Sequence, residues 1–121
     1  MFEVVPSPLS RLRIECDDQQ RKLIVEQRVM PLSTTQYALV VALLRQRERW
    51  QKAAGREPLC LTIQQLQDVA HLGGPELVRQ HLFRAAGRLP WEPLRIVNLF
   101  SYGYGIFTMS EVSADEVSES G

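Results

Sequence analysis

Apolar and polar residues alternate along the first part of the chain in a pattern typical of short strands. Leu12, Ile14 and Cys16 alternate with charged residues, and this period of two predicts a half-buried strand. Similar short runs predict a second strand over residues 22–26 and a third over residues 29–32. Because three short strands are not stable alone, we expect this sheet to pack on helices.

The middle of the chain has the three- and four-residue spacing of amphipathic helices. A hydroxyl residue followed three positions later by glutamine begins two of them, as Ser33 with Gln36 and as Thr62 with Gln65. This is the capping-box pattern, and it predicts a central core helix over residues 34–50. A shorter helix follows, with a buried stripe of Ile63, Leu66, Val69 and Ala70. We expect Gly73 and Gly74 to end the shorter helix.

Residues 75–89 predict a third helix with two different sides. Val78, Leu82, Ala85 and Leu89 lie within about 60° of one another on a helix, so they form an apolar stripe. The other side carries Glu76, Gln80, Phe83, Arg84 and Gly87, flanked by Arg79 and Arg88. A short turn followed by a helix with an apolar back and an Arg/Gln front is typical of a helix-turn-helix.

The end of the chain predicts a β-hairpin and an acidic tail. Residues 94–100 and 104–109 are rich in strand formers and flank a turn at residues 101–103. After residue 109 the chain turns to serine and acidic residues, which predicts disorder. We therefore divide the chain into a folded domain over residues 1–108 and an acidic, disordered tail over residues 109–121.

The net charge of zero conceals an uneven distribution. The tail has four acidic residues and no basic one, and the rest of the 121 residues hold all 14 Lys and Arg, a net charge of +4 before the tail. A mildly basic domain is compatible with a polyanionic partner. The chain has no signal-peptide pattern, no apolar run of membrane length, and two isolated cysteines, Cys16 and Cys60. We expect a cytoplasmic protein without a membrane partner.

Neither a catalytic nor a metal-binding pattern occurs in the sequence. His71 and His81 have no cysteine or carboxylate at ligand spacing, and no Gly-rich phosphate loop is present. We therefore expect that the protein is not an enzyme and uses no cofactor. His81 falls at the edge of the apolar stripe, which favours a core-edge histidine bonded to backbone over a contact with a base.

Three motifs follow one another in the chain: VMPLSTTQY at residues 29–37, VRQHLFR at residues 78–84, and a run over residues 96–104 that ends in Gly103-Tyr104. In this order they resemble the effector domain of the OmpR/PhoB family of bacterial response regulators. The resemblance implies an α+β fold, a winged helix-turn-helix with an N-terminal antiparallel sheet, three helices and a C-terminal β-hairpin wing. Phe100 and Ser101 replace the arginine usual in that wing. We expect no receiver domain in 121 residues.

The resemblance and the arginine-bearing helix together predict a DNA-binding transcriptional regulator, with the helix over residues 75–89 in the major groove of double-stranded DNA. Arg79 and Arg84 are candidates for guanine and Gln80 for adenine. Arg88 is expected on phosphate, and Tyr102 is placed by the predicted hairpin near the minor groove. For the four cations between residues 45 and 52, a solvated helix end is favoured over phosphate contact.

A second hypothesis is a protein-interaction module on the same scaffold, because a fold does not determine a function. Phe83 on the polar side of the helix and Phe100 in the hairpin suit a protein partner. Packing of Phe83 on the hairpin, which would leave it no binding role, and formation of a homodimer are further alternatives.

The acidic tail gives a first test. If it folds back on the basic helix, deletion of residues 110–121 is expected to raise the affinity for duplex DNA at low salt, because four negative charges are removed. The measurement is a DNA titration of the full chain and the truncated chain at two salt concentrations. Equal affinities would favour the alternative, a solvated terminus.

Overall fold

The computed structural model describes residues 13–88, 94–99 and 103–108. Within these ranges the chain forms, in order, β1 (Ile14–Asp17), β2 (Lys22–Val25), β3 (Arg28–Pro31), α1 (Thr34–Lys52), α2 (Ile63–Ala70), α3 (Pro75–Arg88), β4 (Leu94–Leu99) and β5 (Gly103–Thr108). The predicted strands and helices are confirmed, with bounds that differ by one or two residues. The predicted tail over residues 109–121 lies outside the described residues.

The first three strands form an antiparallel sheet in the order β1-β2-β3. In the first turn the carboxylate of Asp17 accepts hydrogen bonds from the backbone N–H groups of Gln19 and Gln20, each at 3.1 Å. In the second turn Glu26 and Gln27 have φ values of 50° and 73°. Two consecutive positive φ values are typical of a tight hairpin turn. Local turn geometry therefore sets the register of this sheet.

Both predicted capping boxes are confirmed. Ser33 Oγ accepts from the N–H of Gln36 at 3.1 Å, and Gln36 Oε1 accepts from the N–H of Ser33 at 3.2 Å. Thr62 and Gln65 make the same reciprocal pair at 3.1 and 2.9 Å. Each pair satisfies N–H groups that the first turn of a helix leaves without partners. These caps fix where α1 and α2 begin.

The link from α2 to α3 differs from the prediction. The helix ends at His71, which takes the left-handed conformation at φ 56° and ψ 45°, so the predicted stop at Gly73 and Gly74 is wrong. The N–H of Leu72 donates to the carbonyl of Gln67 at 3.0 Å and closes the last turn. A non-glycine residue is uncommon at this position. The two glycines instead lie in the short bend that leads into α3.

Side chains from the helices and both sheets form one hydrophobic core. Its most deeply buried members include Leu23, Val25, Leu39, Val40, Leu43, Leu66, Val78, Ala85, Leu94 and Ile106. Leu66 is the buried anchor of α2, with Ile63 and Ala70 partly buried beside it, whereas Val69 is 44% exposed. The predicted burial of Val69 is therefore wrong.

The C-terminal hairpin of β4 and β5 connects to the start of α2 through one backbone bridge. Leu61 and Tyr104 exchange two hydrogen bonds, at 2.9 and 2.8 Å between N and O. Gly103 makes this approach possible, because it has a φ of 110° and a Cβ placed there would lie 2.1 Å from the Leu61 carbonyl oxygen. A side chain at position 103 would therefore push the hairpin away from Leu61.

We expect Gly103→Ala to lower the free energy of unfolding by about 2–4 kcal/mol, because it adds both backbone strain and a clash with backbone. Gly87→Ala in α3 is the matched control, since a Cβ there meets nothing within 4 Å. The control should be neutral or stabilising by up to about 1 kcal/mol, as alanine favours a helix. Urea denaturation of both variants measures the difference, and an equal effect would contradict the close approach at Gly103.

Candidate nucleic-acid interface

The two predicted sides of α3 are present in the structure. Val78, Leu82 and Ala85 are buried, at 0%, 2% and 0% exposure, and they hold the helix against α1 and α2. The opposite side is exposed to solvent. We call it the outward face of α3, and it consists of Glu76, Arg79, Gln80, Phe83, Arg84 and Gly87. The core therefore determines which residues α3 presents.

Two arginines on the outward face differ in their partners. Arg79 Nη1 lies 3.0 Å from Glu76 Oε1, one turn earlier on the helix. Both side chains are at least half exposed, so this pair orients Arg79 and adds little stability. Arg84 makes no ion pair or hydrogen bond with any residue that the structure describes. Its five N–H donors are available for a bidentate acceptor such as guanine or a phosphate.

Phe83 is the most exposed large hydrophobic side chain in the described ranges, at 80%. Packing against the hairpin, one of the alternatives from the sequence, is therefore wrong. The residues one turn further along α3 are Ala86 and Gly87, both exposed, and they are too small to cover the ring. The ring is therefore accessible to a binding partner.

The hairpin and α3 enclose an open groove of about 430 Å³. On the α3 side it is lined by Arg79, Gln80, Leu82, Phe83 and Ala86, and on the hairpin side by Ile96, Asn98 and Tyr104. Tyr104 packs partly against the core, which agrees with the packing expected for a hairpin residue. Asn98 is exposed, so its amide and that of Gln80 both line the groove. The groove therefore joins polar groups of the hairpin to the outward face.

Arg47 fixes the hairpin on α1. Its guanidinium carbon lies 5.1 Å from the centre of the Trp50 ring and 5.6 Å from that of Phe107. Nη1 donates to the carbonyl of Ile106 at 3.1 Å, and the residue is 1% exposed. Two aromatic faces and a carbonyl offset much of the cost of burying the charge. The predicted solvated helix end is thus wrong for this residue.

The other cations of the same helix end are exposed, as expected. Arg45 faces solvent, Arg49 donates to Gln46 Oε1 at 3.0 Å, and Lys52 lies 3.6 Å from Glu48. Spacing could have distinguished Arg47 from them, because Val40, Leu43 and Arg47 follow one another at three and four positions. Arg47 therefore continues the buried stripe of α1.

The structure brings together only some of the predicted site residues. Arg79, Gln80 and Arg84 share the outward face of α3. Arg88 is the last residue of α3, but its side chain is outside the described part, and Tyr102, Phe100 and Leu89 also lie outside it. His81 is partly buried, and its Nδ1 atom has no hydrogen-bond partner among the described residues. The predicted bond from His81 to backbone is therefore wrong for that nitrogen.

The described ranges contain neither a metal-binding cluster nor a membrane-spanning helix. No group of three or more His, Cys, Asp or Glu residues there has the arrangement to hold a metal ion. No helix there is both long enough and apolar enough to cross a bilayer. Burial raises the pKa of the Cys60 thiol, which disfavours the reactive thiolate.

The architecture is identified by comparison with solved structures. No protein-family model matches the sequence, and no curated protein matches it. Among solved structures, the DNA-binding domain of the response regulator AdeR, crystallised in complex with an intercistronic region, superposes with a TM-score of 0.61. The match covers 78% of this chain and 94% of that chain, at 15% sequence identity. This chain has a winged-helix fold.

The fold predicted from the sequence is therefore confirmed, including the N-terminal antiparallel sheet and the C-terminal hairpin as the wing. The three helices take the places that the resemblance to OmpR/PhoB effector domains implies, with α2 and α3 joined by a short turn as in a helix-turn-helix.

We expect Arg47→Ala to lower the free energy of unfolding by about 3–5 kcal/mol, because it leaves a cavity between two rings and removes the donor to Ile106. Arg45→Ala, an exposed arginine of the same helix, is the control and should change stability by less than about 0.5 kcal/mol. Thermal or urea unfolding compares them. A similar small loss in both variants would mean that Arg47 does not anchor the wing.

Proposed function

We propose that this protein is a sequence-specific DNA-binding transcriptional regulator that inserts α3 into the major groove. The observation that carries the proposal is the outward face of α3, where Arg79, Gln80 and Arg84 are exposed together while the opposite side is held in the core. The major groove, about 12 Å wide, admits a helix, and arginine and glutamine are the side chains that recognise base edges there. The surface thus has both the shape and the donors required.

The hydrogen-bonding capacity of each side chain suggests which group of the DNA it would contact. The free guanidinium of Arg84 and the pre-oriented one of Arg79 suit the O6 and N7 acceptors of guanine, and the Gln80 amide suits adenine. Arg88 is assigned to phosphate, because it stands at the end of α3. Tyr102, between β4 and β5, is assigned to the backbone beside the minor groove. In this arrangement the outward face of α3 recognises the bases, and Arg88 and Tyr102 position the protein on the DNA backbone.

Two further facts support DNA as the partner. The AdeR DNA-binding domain, which has the same fold, was crystallised in complex with an intercistronic region. The residues before the acidic tail carry a net charge of +4, which attracts a polyanion modestly. Neither fact specifies a site, so the DNA sequence must be found by selection.

A protein partner is the second candidate. The 80% exposure of Phe83 and the negative charge of Glu76 at the start of α3 favour it. Phosphate groups repel the Glu76 carboxylate, and contact with a phosphate backbone does not require an aromatic ring. In that case the winged helix would be a scaffold for protein recognition. The two candidates differ in whether binding to DNA depends on sequence.

The test is a selection from a random duplex library followed by titrations at several salt concentrations. Arg84→Ala is expected to weaken binding to the selected site by about 1–3 kcal/mol and to reduce discrimination at one base pair, because a bidentate contact is lost. Arg56→Ala is the charge-matched control, since Arg56 bonds the Ala53 carbonyl in the turn after α1 and is not part of the outward face.

Equal losses in the two variants would mean that only net charge matters, and no selected sequence at all would exclude the proposal. Binding that is blind to sequence and vanishes near physiological salt would favour a protein partner, because such binding is purely electrostatic.

A further inference from the structure

We propose that Phe83 recognises the 5-methyl group of a thymine, so that the preferred DNA site has a thymine opposite the middle of α3. The inference rests on the proposed function, and it names the base that the apolar part of the outward face selects. A phenyl ring makes no hydrogen bond, so the proposed contact of Phe83 does not depend on the base contacts assigned to the arginines.

The position of Phe83 on α3 is the first support. At 100° per residue, Arg79 and Gln80 lie one turn before it and within about 60° of its direction. Ala86 and Gly87 lie one turn after it and within the same angle, and a Cβ at position 87 would meet nothing within 4 Å. The ring therefore stands clear of the helix near the centre of the outward face, with Arg79 and Gln80 on its N-terminal side and Arg84 next to it in the sequence.

The chemistry of the major groove is the second support. Its base edges present hydrogen-bond donors and acceptors, and the apolar group among them is the thymine methyl. A phenyl ring against guanine, adenine or cytosine removes water from polar atoms without replacing their hydrogen bonds, which is unfavourable. Against thymine it buries the methyl group and part of the 80% exposed ring. Phe83 thus selects by attraction to one base and by rejection of the others.

The neighbours of Phe83 favour a base edge over a protein surface. Protein interfaces usually have several adjoining apolar residues at their centre. Among the described residues of the outward face, Phe83 is the single large apolar one, and the other exposed apolar side chain of α3, Leu77, points about 120° away. A lone ring between Arg79, Gln80 and Arg84 matches a base step in which one base offers a methyl and its neighbours offer acceptors.

The experiment uses the full chain and the duplex selected from the random library. Each thymine in that duplex is replaced in turn by 2′-deoxyuridine, which pairs identically and lacks only the methyl group. The wild-type protein is expected to bind one of the uracil duplexes about fourfold more weakly, the effect of burying one methyl group. The salt dependence of binding should not change, because no phosphate contact is altered.

Two variants assign the effect to a side chain. Phe83→Ala is expected to bind the thymine and uracil duplexes with equal affinity, so the fourfold ratio disappears. Leu77→Ala, a second exposed apolar residue of α3 at 41% exposure, should keep the ratio. Because Phe83 is outside the core, its variant should unfold at the same temperature as the wild type, and a melting curve verifies this.

Three outcomes would overturn the inference. If a site is selected but thymine and uracil bind equally, DNA recognition stands and the thymine contact does not. If Phe83→Ala keeps the fourfold ratio, another residue contacts the methyl group. If no sequence is selected, the proposed function fails with it, and a protein complex that is lost in Phe83→Ala would identify Phe83 as part of a protein interface.

Discussion

The buried guanidinium of Arg47 joins the C-terminal hairpin to the central helix α1. It lies between Trp50 of α1 and Phe107 of β5 and donates to the carbonyl of Ile106. The wing is otherwise connected to the helices by the bridge at Leu61 and by the side chains that Leu94 and Ile106 place in the core. A planar cation between two rings resists both sliding and tilting, since either motion loses the stacking and the hydrogen bond. These contacts restrain the position of the wing relative to α1.

The buried side of α3 determines which side chains are exposed on its outward face. Val78, Leu82 and Ala85 are buried against α1 and α2, and burial of each large side chain contributes roughly 1.5–3 kcal/mol. A rotation of the helix that hid Phe83 would expose these residues, and the gain from one ring would not offset the loss. The exposed Phe83 is thus maintained by its neighbours on the opposite side, and its exposure is compatible with a stable fold. Exposure of the Phe83 ring to water is unfavourable for the unbound protein. It is more readily explained by binding than by folding.

Local patterns in the sequence were sufficient for the strands, the helices and both capping boxes, because periodicity and caps depend on residues within a few positions. The errors concern residues whose state depends on distant partners. Burial of Arg47 requires Phe107 from β5, and the exposure of Val69 depends on where α2 crosses α1. The stop at His71 was missed because glycine is the usual residue in that conformation, and two glycines follow nearby. The outward placement of Arg79 and Arg84 could be predicted, because an amphipathic stripe fixes both sides of a helix together.

The distribution of charge bears on how such a surface would achieve affinity. The net charge of +4 before the tail already counts Glu76, which pairs with Arg79 at 3.0 Å. Arg47 is buried in the core, so its charge is not accessible, and +4 overstates the charge that a phosphate backbone would meet. Non-specific affinity for DNA increases with the number of phosphates neutralised. A protein with few such contacts binds random sequence weakly, and a larger share of its affinity must come from base edges. That balance favours discrimination between sites over tight binding, because each mismatch then removes a greater fraction of the total interaction. The mixed outward face of α3, with one free arginine, one paired arginine, one amide and one ring, suits recognition of this kind.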